Sequence, residues 1–156
     1  HYPLRRQRQM CIRDSALTEP HVERITGAAI PSGSGFFYQP TLLSGCLQSD
    51  EIVQREVFGP VVTVTRFDEI SQALDWSNDT EYGLASSVWT TNMDKAMHLA
   101  SRLEYGCTWI NSHFMLATEM PHGGLKRSGY GKELSSDSLQ DYSVVRHIMA
   151  RHARLD

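Results

Sequence analysis

The 156 residues carry a net charge of −3, with 40% hydrophobic and 21% charged residues, a balance that suits an ordered globular chain and excludes a disordered one. Lys and Arg are dispersed, leaving no electrostatic footprint for nucleic acid, and no apolar run reaches the ~18 residues of a membrane span. The three cysteines, Cys11, Cys46 and Cys107, form no C-x-x-C pair, which fits a reducing, cytoplasmic setting with the thiols as small hydrophobes.

Residues 1–15 differ in character from the rest of the chain. Pro3-Leu4-Arg5-Arg6-Gln7-Arg8-Gln9 is basic and has neither helical nor strand periodicity. An unfolded or foreign leader is expected there, without the apolar segment of a secretion signal. Between Ala16 and Ser49 the chain reads as connecting structure with short strands. Pro31-Ser32-Gly33-Ser34-Gly35 is a loop, and the aromatic run Phe36-Phe37-Tyr38 comes directly after it.

Ser49 is placed to cap a short helix that carries Asp50 and Glu51 in its first turn and ends near Phe58. Glu56-Val57-Phe58-Gly59-Pro60 then admits two readings. One is a helix C-terminus with a surface Glu, a core Phe and a Gly-Pro breaker. The other is a binding element, whose carboxylate accepts from a sugar diol while the ring supports a flat heterocycle.

Val61 to Phe67 is rich in β-branched residues and predicts a buried strand. Asp68 caps a helix with Ile70, Ala73 and Leu74 on one face. Tyr82-Gly83-Leu84 turns the chain into a strand over Ala85–Trp89. Asn92 caps the next helix, with Met93, Ala96, Met97, Ala100 and Leu103 directed inward and Gly106 ending it at the C′ position. Cys107–Asn111 is the third strand, and its apolar setting predicts a buried, inert Cys107 thiol. This alternation predicts an α/β fold of βαβ units with a parallel sheet, belonging to a larger sheet because the three strands leave open edges.

Ser112 to Lys132 has no period and holds Pro121, Gly123, Gly124, Gly129 and Gly131. A loop this long at the carboxyl end of a parallel strand is placed for ligand binding. Gly124 and Gly129 have phosphate-loop spacing, but Tyr130 stands where that loop needs Lys, and Gly129-Tyr130-Gly131 lacks the third glycine of a dinucleotide fingerprint. A polar helix is expected from about Lys132 to Gln140. After it, Tyr142–Met149 has the composition of a strand suited to pairing with another subunit. His147 and His152 are off one helical face, and the seven His residues make no metal-ligand cluster.

With these residues in view, the chain resembles the NAD(P)-dependent aldehyde dehydrogenase superfamily. The likeness is carried by Glu56-Val57-Phe58-Gly59-Pro60, Asn78-Asp79-Thr80-Glu81-Tyr82-Gly83-Leu84-Ala85, the strand ending at Asn111, and the run Pro121-His122-Gly123-Gly124-Leu125-Lys126-Arg127-Ser128-Gly129-Tyr130-Gly131-Lys132-Glu133. Trp109-Ile110-Asn111-Ser112-His113-Phe114-Met115 and Glu119-Met120 before Pro121 draw it towards the γ-aminobutyraldehyde branch.

The resemblance implies a C-terminal fragment of such an enzyme, with residues 16–140 as part of the catalytic domain and 141–156 as an oligomerisation strand and tail. It implies that Glu56 holds the nicotinamide ribose hydroxyls and Phe58 lies against the nicotinamide of NAD, with NADP as the alternative. It places His122, where the family usually has an aromatic residue, at the substrate pocket, and a polar residue there points to a polar aldehyde. Phe114 and Glu119 on the same loop would face the substrate, Glu119 attracting an amine such as that of 4-aminobutanal. The family's nucleophilic Cys and general-base Glu belong to segments outside this chain, so the resemblance implies no catalytic residue here and no activity of the chain alone. The implied partners are a small aldehyde and, for the full-length protein, identical subunits in a dimer or tetramer. The competing reading is a non-catalytic α/β module that associates through its terminal strand.

Overall fold

The computed structural model describes residues 10–151. The chain divides into two compact units, residues 1–81 and 82–156.

The first unit is built on a mixed sheet ordered β1-β2-β3. Strands β1 (Glu23–Thr26) and β2 (Thr41–Ser44) pair antiparallel, with a register shift between Arg24 and Thr26. Strand β3 (Val61–Val64) runs parallel to β2, with Leu43 opposite Thr63. The core gathers where Leu43, fully buried, meets Ile12, Ala16, Cys46 and Ile52, with Val22, Val53, Val57 and Val61 packed around them. Burial and the nearby Asp50 charge both push the Cys46 thiol above its ordinary pKa, so it sits in this core as a neutral hydrophobe.

The expected unfolded leader is corrected for residues 10–15. Residues 10–16 are helical (α1), and Ile12 is only 3% exposed. The spacing of Ile12 and Ala16, four apart, puts both on one helical face against β2, a periodicity too short to register beside the basic run. Residues 1–9 and 152–156 lie outside the described residues.

Helix α2 (Glu51–Gln54) is one turn long, with Asp50 rather than Ser49 at its N-cap. It stops at Gln54 and does not reach Phe58, because Arg55 is already extended (φ −121°, ψ 144°). The Gln54 amide donates to the Gln48 carbonyl at 2.8 Å and to the Asp79 carbonyl at 2.9 Å, which pins the end of the turn. Strand β3 is likewise shorter than the predicted Val61–Phe67 and is not buried throughout. Its residues alternate, with Val62 59% and Val64 49% exposed, so only one face meets this unit's core. Helix α3 (Ile70–Asn78) starts after Glu69, not Asp68. The Gln72 side chain reaches back to accept from the Asp68 N–H at 3.2 Å, a contact that stands in place of the expected Asp68 cap.

The second unit contains a βαβ element. Strand β5 (Ala85–Val88) and strand β6 (Cys107–Ile110) pair in parallel, from Ala85 opposite Cys107 to Val88 opposite Ile110. Helix α4 (Met93–Ala100) connects them, and the Asn92 Oδ1 accepts from the Lys95 N–H at 2.9 Å as predicted. Only Ala96 of its predicted inner face is buried; Met93 and Met97 are exposed. The short strand β4 (Tyr82–Gly83) pairs antiparallel with β7 (Leu125–Lys126). Of the predicted series of three parallel strands, only β5 and β6 pair with each other. The third member, β3, belongs to the first unit's sheet and runs parallel to β2, a strand outside that series, because β2 takes up its backbone groups instead.

Gly106 is not the cap of α4, which ends at Ala100. It is the point of closest approach to the following loop: a Cβ there would lie 1.7 Å from the Gly123 carbonyl oxygen. Helix α5 spans Ser135–Asp141, later than predicted, because Glu133 is held in an antiparallel bridge and Leu134 takes a left-handed φ of 62°. Residues 142–149 have strand composition but form no strand here, since a strand exists only when a neighbour takes up its backbone groups.

Candidate functional site

In the first unit, the Glu56–Pro60 segment is fixed at both ends. Upstream, the Arg55 N–H donates to the Glu51 carbonyl at 2.9 Å. Downstream, the Thr41 N–H donates to the Pro60 carbonyl at 2.8 Å, tying the exit to the start of β2. Between these anchors Phe58 adopts φ +51°, the left-handed region, which costs a non-glycine residue about 1–2 kcal/mol. The ring stands outward, and Phe58 is 74% exposed. It is not the core Phe of a helix end.

Glu56 is exposed, and its carboxylate makes no hydrogen bond or ion pair among the described residues. The nearest cation in sequence, Arg55, is paired instead with Glu51 at 3.3 Å. A cleft of about 320 Å³ is lined by Arg55, Glu56, Phe58, Gly59 and Thr63. A second, more apolar one of about 360 Å³ lies between Phe58 and the aromatic run Phe36-Phe37-Tyr38. That run forms no strand. Tyr38 instead carries the Arg13 guanidinium 4.3 Å from its ring centroid, a contact the sequence does not announce because it crosses the expected leader boundary.

An acceptor-only carboxylate and an exposed ring two residues apart fit a ribose diol and a flat heterocycle. The chemistry of Glu56 and Phe58 is thus compatible with a nicotinamide nucleotide.

In the second unit the predicted substrate residues lie on the loop after β6. Asn111 closes the strand at φ +51°, and its side-chain amide clasps Thr90: Oδ1 accepts from the Thr90 N–H and Nδ2 donates to the Thr90 carbonyl, both at 2.9 Å. The Trp109 indole N–H donates to the Met115 carbonyl at 2.8 Å, and Trp109 meets His113 edge-on with centroids 5.2 Å apart. These contacts hold the loop's first turn, where Phe114 takes φ +56°.

His122 is fixed through its backbone, which exchanges hydrogen bonds with Glu133 at 2.8 and 2.7 Å. Its ring lies edge-to-face with Phe114 at 6.3 Å and 89°. The structure therefore brings His122 and Phe114 together. Glu119 is exposed, and no hydrogen bond or ion pair joins it to either ring.

Cys107 is not the fully buried thiol expected from its sequence setting. It is half-buried, with Sγ 3.2 Å from the His122 Nδ1. The two residues are 15 apart in sequence, across an aperiodic loop, and no spacing rule links them.

His122 also lines a polar cleft of about 490 Å³ with Gly124, Lys132, Glu133 and Asp141. Lys132 is held there by its backbone N–H to the Asp141 carboxylate and its ammonium to the Gly124 carbonyl, each at 3.1 Å. Among the described residues no group of three or more His, Cys, Asp or Glu side chains could hold a metal ion, and no helix is long and apolar enough to cross a membrane.

Residues 13–148 match the Aldehyde dehydrogenase family. Betaine aldehyde dehydrogenase of Bacillus subtilis is 44% identical over 115 residues, 74% of this chain and 24% of that protein. The succinate-semialdehyde dehydrogenase [NADP(+)] 2 of Schizosaccharomyces pombe is 36% identical over 124 residues, 80% of this chain and 25% of that protein. Among solved structures, betaine aldehyde dehydrogenase from Staphylococcus aureus in complex with NAD+ superposes with a TM-score of 0.83 at 37% identity, covering 92% of this chain and 29% of that one. The chain thus spans about a quarter of the length of these curated relatives. With its α/β fold and its matched residues, the chain belongs to the aldehyde dehydrogenase family, whose members use NAD(P).

Proposed function

We propose that this chain is part of an enzyme that oxidises a small polar aldehyde to its carboxylic acid with NAD, and that it supplies the nicotinamide-ribose contact and one wall of the substrate pocket. The observation that carries this reading is the exposed Glu56 carboxylate, without a protein partner among the described residues, two residues from a Phe58 ring held in strained backbone. Strain in an exposed, bulky residue persists only where the surrounding structure over-determines it, and it gathers at ligand sites. Glu56 would accept from both ribose hydroxyls, and Phe58 would support one face of the nicotinamide. When bound, NAD takes up the hydride that the aldehyde carbon loses.

The nucleophilic thiolate and the general base of this reaction type are assigned to segments outside this chain. Residues 10–151 provide positioning only, and the chain alone does not turn over. Glu56→Gln in the full-length enzyme tests the cofactor role. Losing a hydrogen bond to a charged acceptor costs about 1.5–3 kcal/mol, so KM for NAD rises roughly 10- to 100-fold while KM for the aldehyde stays put. An unchanged KM for NAD would sink the assignment.

For the substrate, an ω-aminoaldehyde such as 4-aminobutanal is favoured by the polar His122 beside Phe114 and by the exposed Glu119 carboxylate, which carries no competing ion pair among the described residues. The relatives named for betaine aldehyde point to another small aldehyde carrying a cationic nitrogen. Comparing KM for 4-aminobutanal, betaine aldehyde and butanal in the full-length enzyme, with and without Glu119→Gln, separates these. If Glu119→Gln leaves KM unchanged for both cationic substrates, the residue has no part in recognition.

Association of full-length subunits is assigned to residues 142–149, where strand-forming side chains stand largely in solvent, Val145 at 100%. Replacing Val145 with Lys would then dissociate the oligomer in sedimentation experiments; an unchanged assembly would refute this.

A further inference from the structure

We propose that Cys107 is a positioning residue for His122: its thiol selects which imidazole nitrogen is presented to the substrate. The inference rests on the proposed placement of His122 facing the aldehyde.

The thiol is carried by a rigid element. Cys107 opens β6, pairs with Ala85, and donates its N–H to the Leu84 carbonyl at 3.0 Å. His122 is held just as firmly through its two backbone bonds to Glu133. With both backbones fixed, Sγ and Nδ1 meet at 3.2 Å.

An imidazole without such a partner can rotate by about half a turn at its outer torsion, because ring atoms of similar size exchange places. The thiol removes that equivalence by engaging Nδ1. Phe114 blocks another side of the ring with its edge-to-face contact. Nε2 is then the ring nitrogen with no hydrogen-bond partner among the described residues. Whichever way the shared proton lies between sulfur and Nδ1, Nε2 is the atom offered to a ligand. It recognises aldehydes whose distal end can hydrogen-bond, and it gains nothing from alkyl aldehydes of the same length.

The test has two parts. In the 156-residue chain, nitrogen-15 NMR of the His122 ring reads the two nitrogens separately. Wild type and Cys107→Ser, whose hydroxyl reaches the same nitrogen, should both show a hydrogen-bonded Nδ1. Cys107→Ala should displace the Nδ1 signal while the Trp109 indole N–H signal, reporting its bond to Met115, stays in place. Identical ring spectra in wild type and Cys107→Ala would overturn the proposal.

In the full-length enzyme, the ratio of kcat/KM for 4-aminobutanal over butanal should fall about tenfold in Cys107→Ala, and be largely retained in Cys107→Ser, as expected for loss of one oriented hydrogen bond. If His122→Phe leaves this ratio intact, the substrate-facing reading of His122 falls and the inference with it. If His122→Phe collapses the ratio and Cys107→Ala does not, the inference alone is refuted.

Discussion

Phe58 concentrates the tension between local preference and site geometry. A bulky aromatic residue disfavours φ +51°, so propensity alone argues against that conformation. Replacing it with Gly removes about 1–2 kcal/mol of left-handed strain, partly offset by about 0.5–1 kcal/mol of added chain entropy in the unfolded state. Because the ring is mostly in solvent, Phe58→Gly is expected to leave the melting temperature unchanged or slightly raised, while NAD affinity of the full-length enzyme falls. Calorimetry showing a clear loss of stability would mean that the ring packs more than its exposure implies. Gly106 is the opposite case. Its missing Cβ makes room for the Gly123 carbonyl, and both partners are backbone, so neither can move aside cheaply. Gly106→Ala should cost about 3 kcal/mol, measurable by urea unfolding; a loss below about 0.5 kcal/mol would show that the loop is free to lift. The Glu56–Pro60 motif was legible in the sequence as residues of the right chemistry. The left-handed backbone at Phe58 was not, since the exit of the segment is held by the Thr41 N–H at the start of β2, a contact that no local pattern announces.

At the scale of elements, short-range signals were legible and long-range ones were not. The Asn92 cap is a contact across three residues, and it forms as expected. Asn92→Ala should destabilise α4 by about 1 kcal/mol, with circular dichroism showing earlier loss of helix on heating; Asn92→Asp should not. The end of α2 depends on Gln54 reaching Asp79, 25 residues away, which no local pattern announces. The same holds for Asp50. Its burial pushes the carboxyl pKa up, but the His21 hydrogen bond, the Leu47 N–H and the His21 charge outweigh this and leave it below the ordinary carboxylate value. His21 Nε2 lies 2.9 Å from Asp50 Oδ2, and the Leu47 N–H 2.8 Å from the same oxygen. A folded-state pKa below the unfolded one means that the ionised form favours the fold. The contribution is complete above the unfolded value of about 4 and is lost as pH falls through the depressed folded value. Melting temperature measured from neutral to strongly acidic pH should fall more gently in Asp50→Asn than in wild type below about pH 4. Parallel acid profiles would remove Asp50 from the account.

For the whole molecule, the α/β class and the parallel β5–β6 pair were legible because strand-forming runs alternate with capped amphipathic helices, whereas the parallel pairing of β3 with β2 was not. Which faces are covered was not legible. Val61 to Phe67 reads as a buried strand, and Met93 and Met97 as inward-facing, because a sequence records hydrophobicity without recording which part of the protein meets it. In this chain the outer face of β3 carries Val62 and Val64 in solvent, and Phe36 and Phe37 are exposed as well. The chain spans about a quarter of its curated relatives' length, so these side chains are those expected to pack against the remainder of a full-length enzyme. Exposed apolar surface on this scale promotes association. The purified chain should therefore bind an apolar dye, and its sedimentation should depend on concentration. Replacing Val62 and Val64 together with Thr keeps the β-branched shape that suits a strand and removes apolar surface at positions outside the core. Dye binding should drop, with a stability change within about 0.5 kcal/mol, the range of surface substitutions. The same pair of substitutions in the full-length enzyme should cost several times more, because each hydroxyl would then be buried without a partner. Equal effects in chain and enzyme would show that β3 keeps this face in solvent in both.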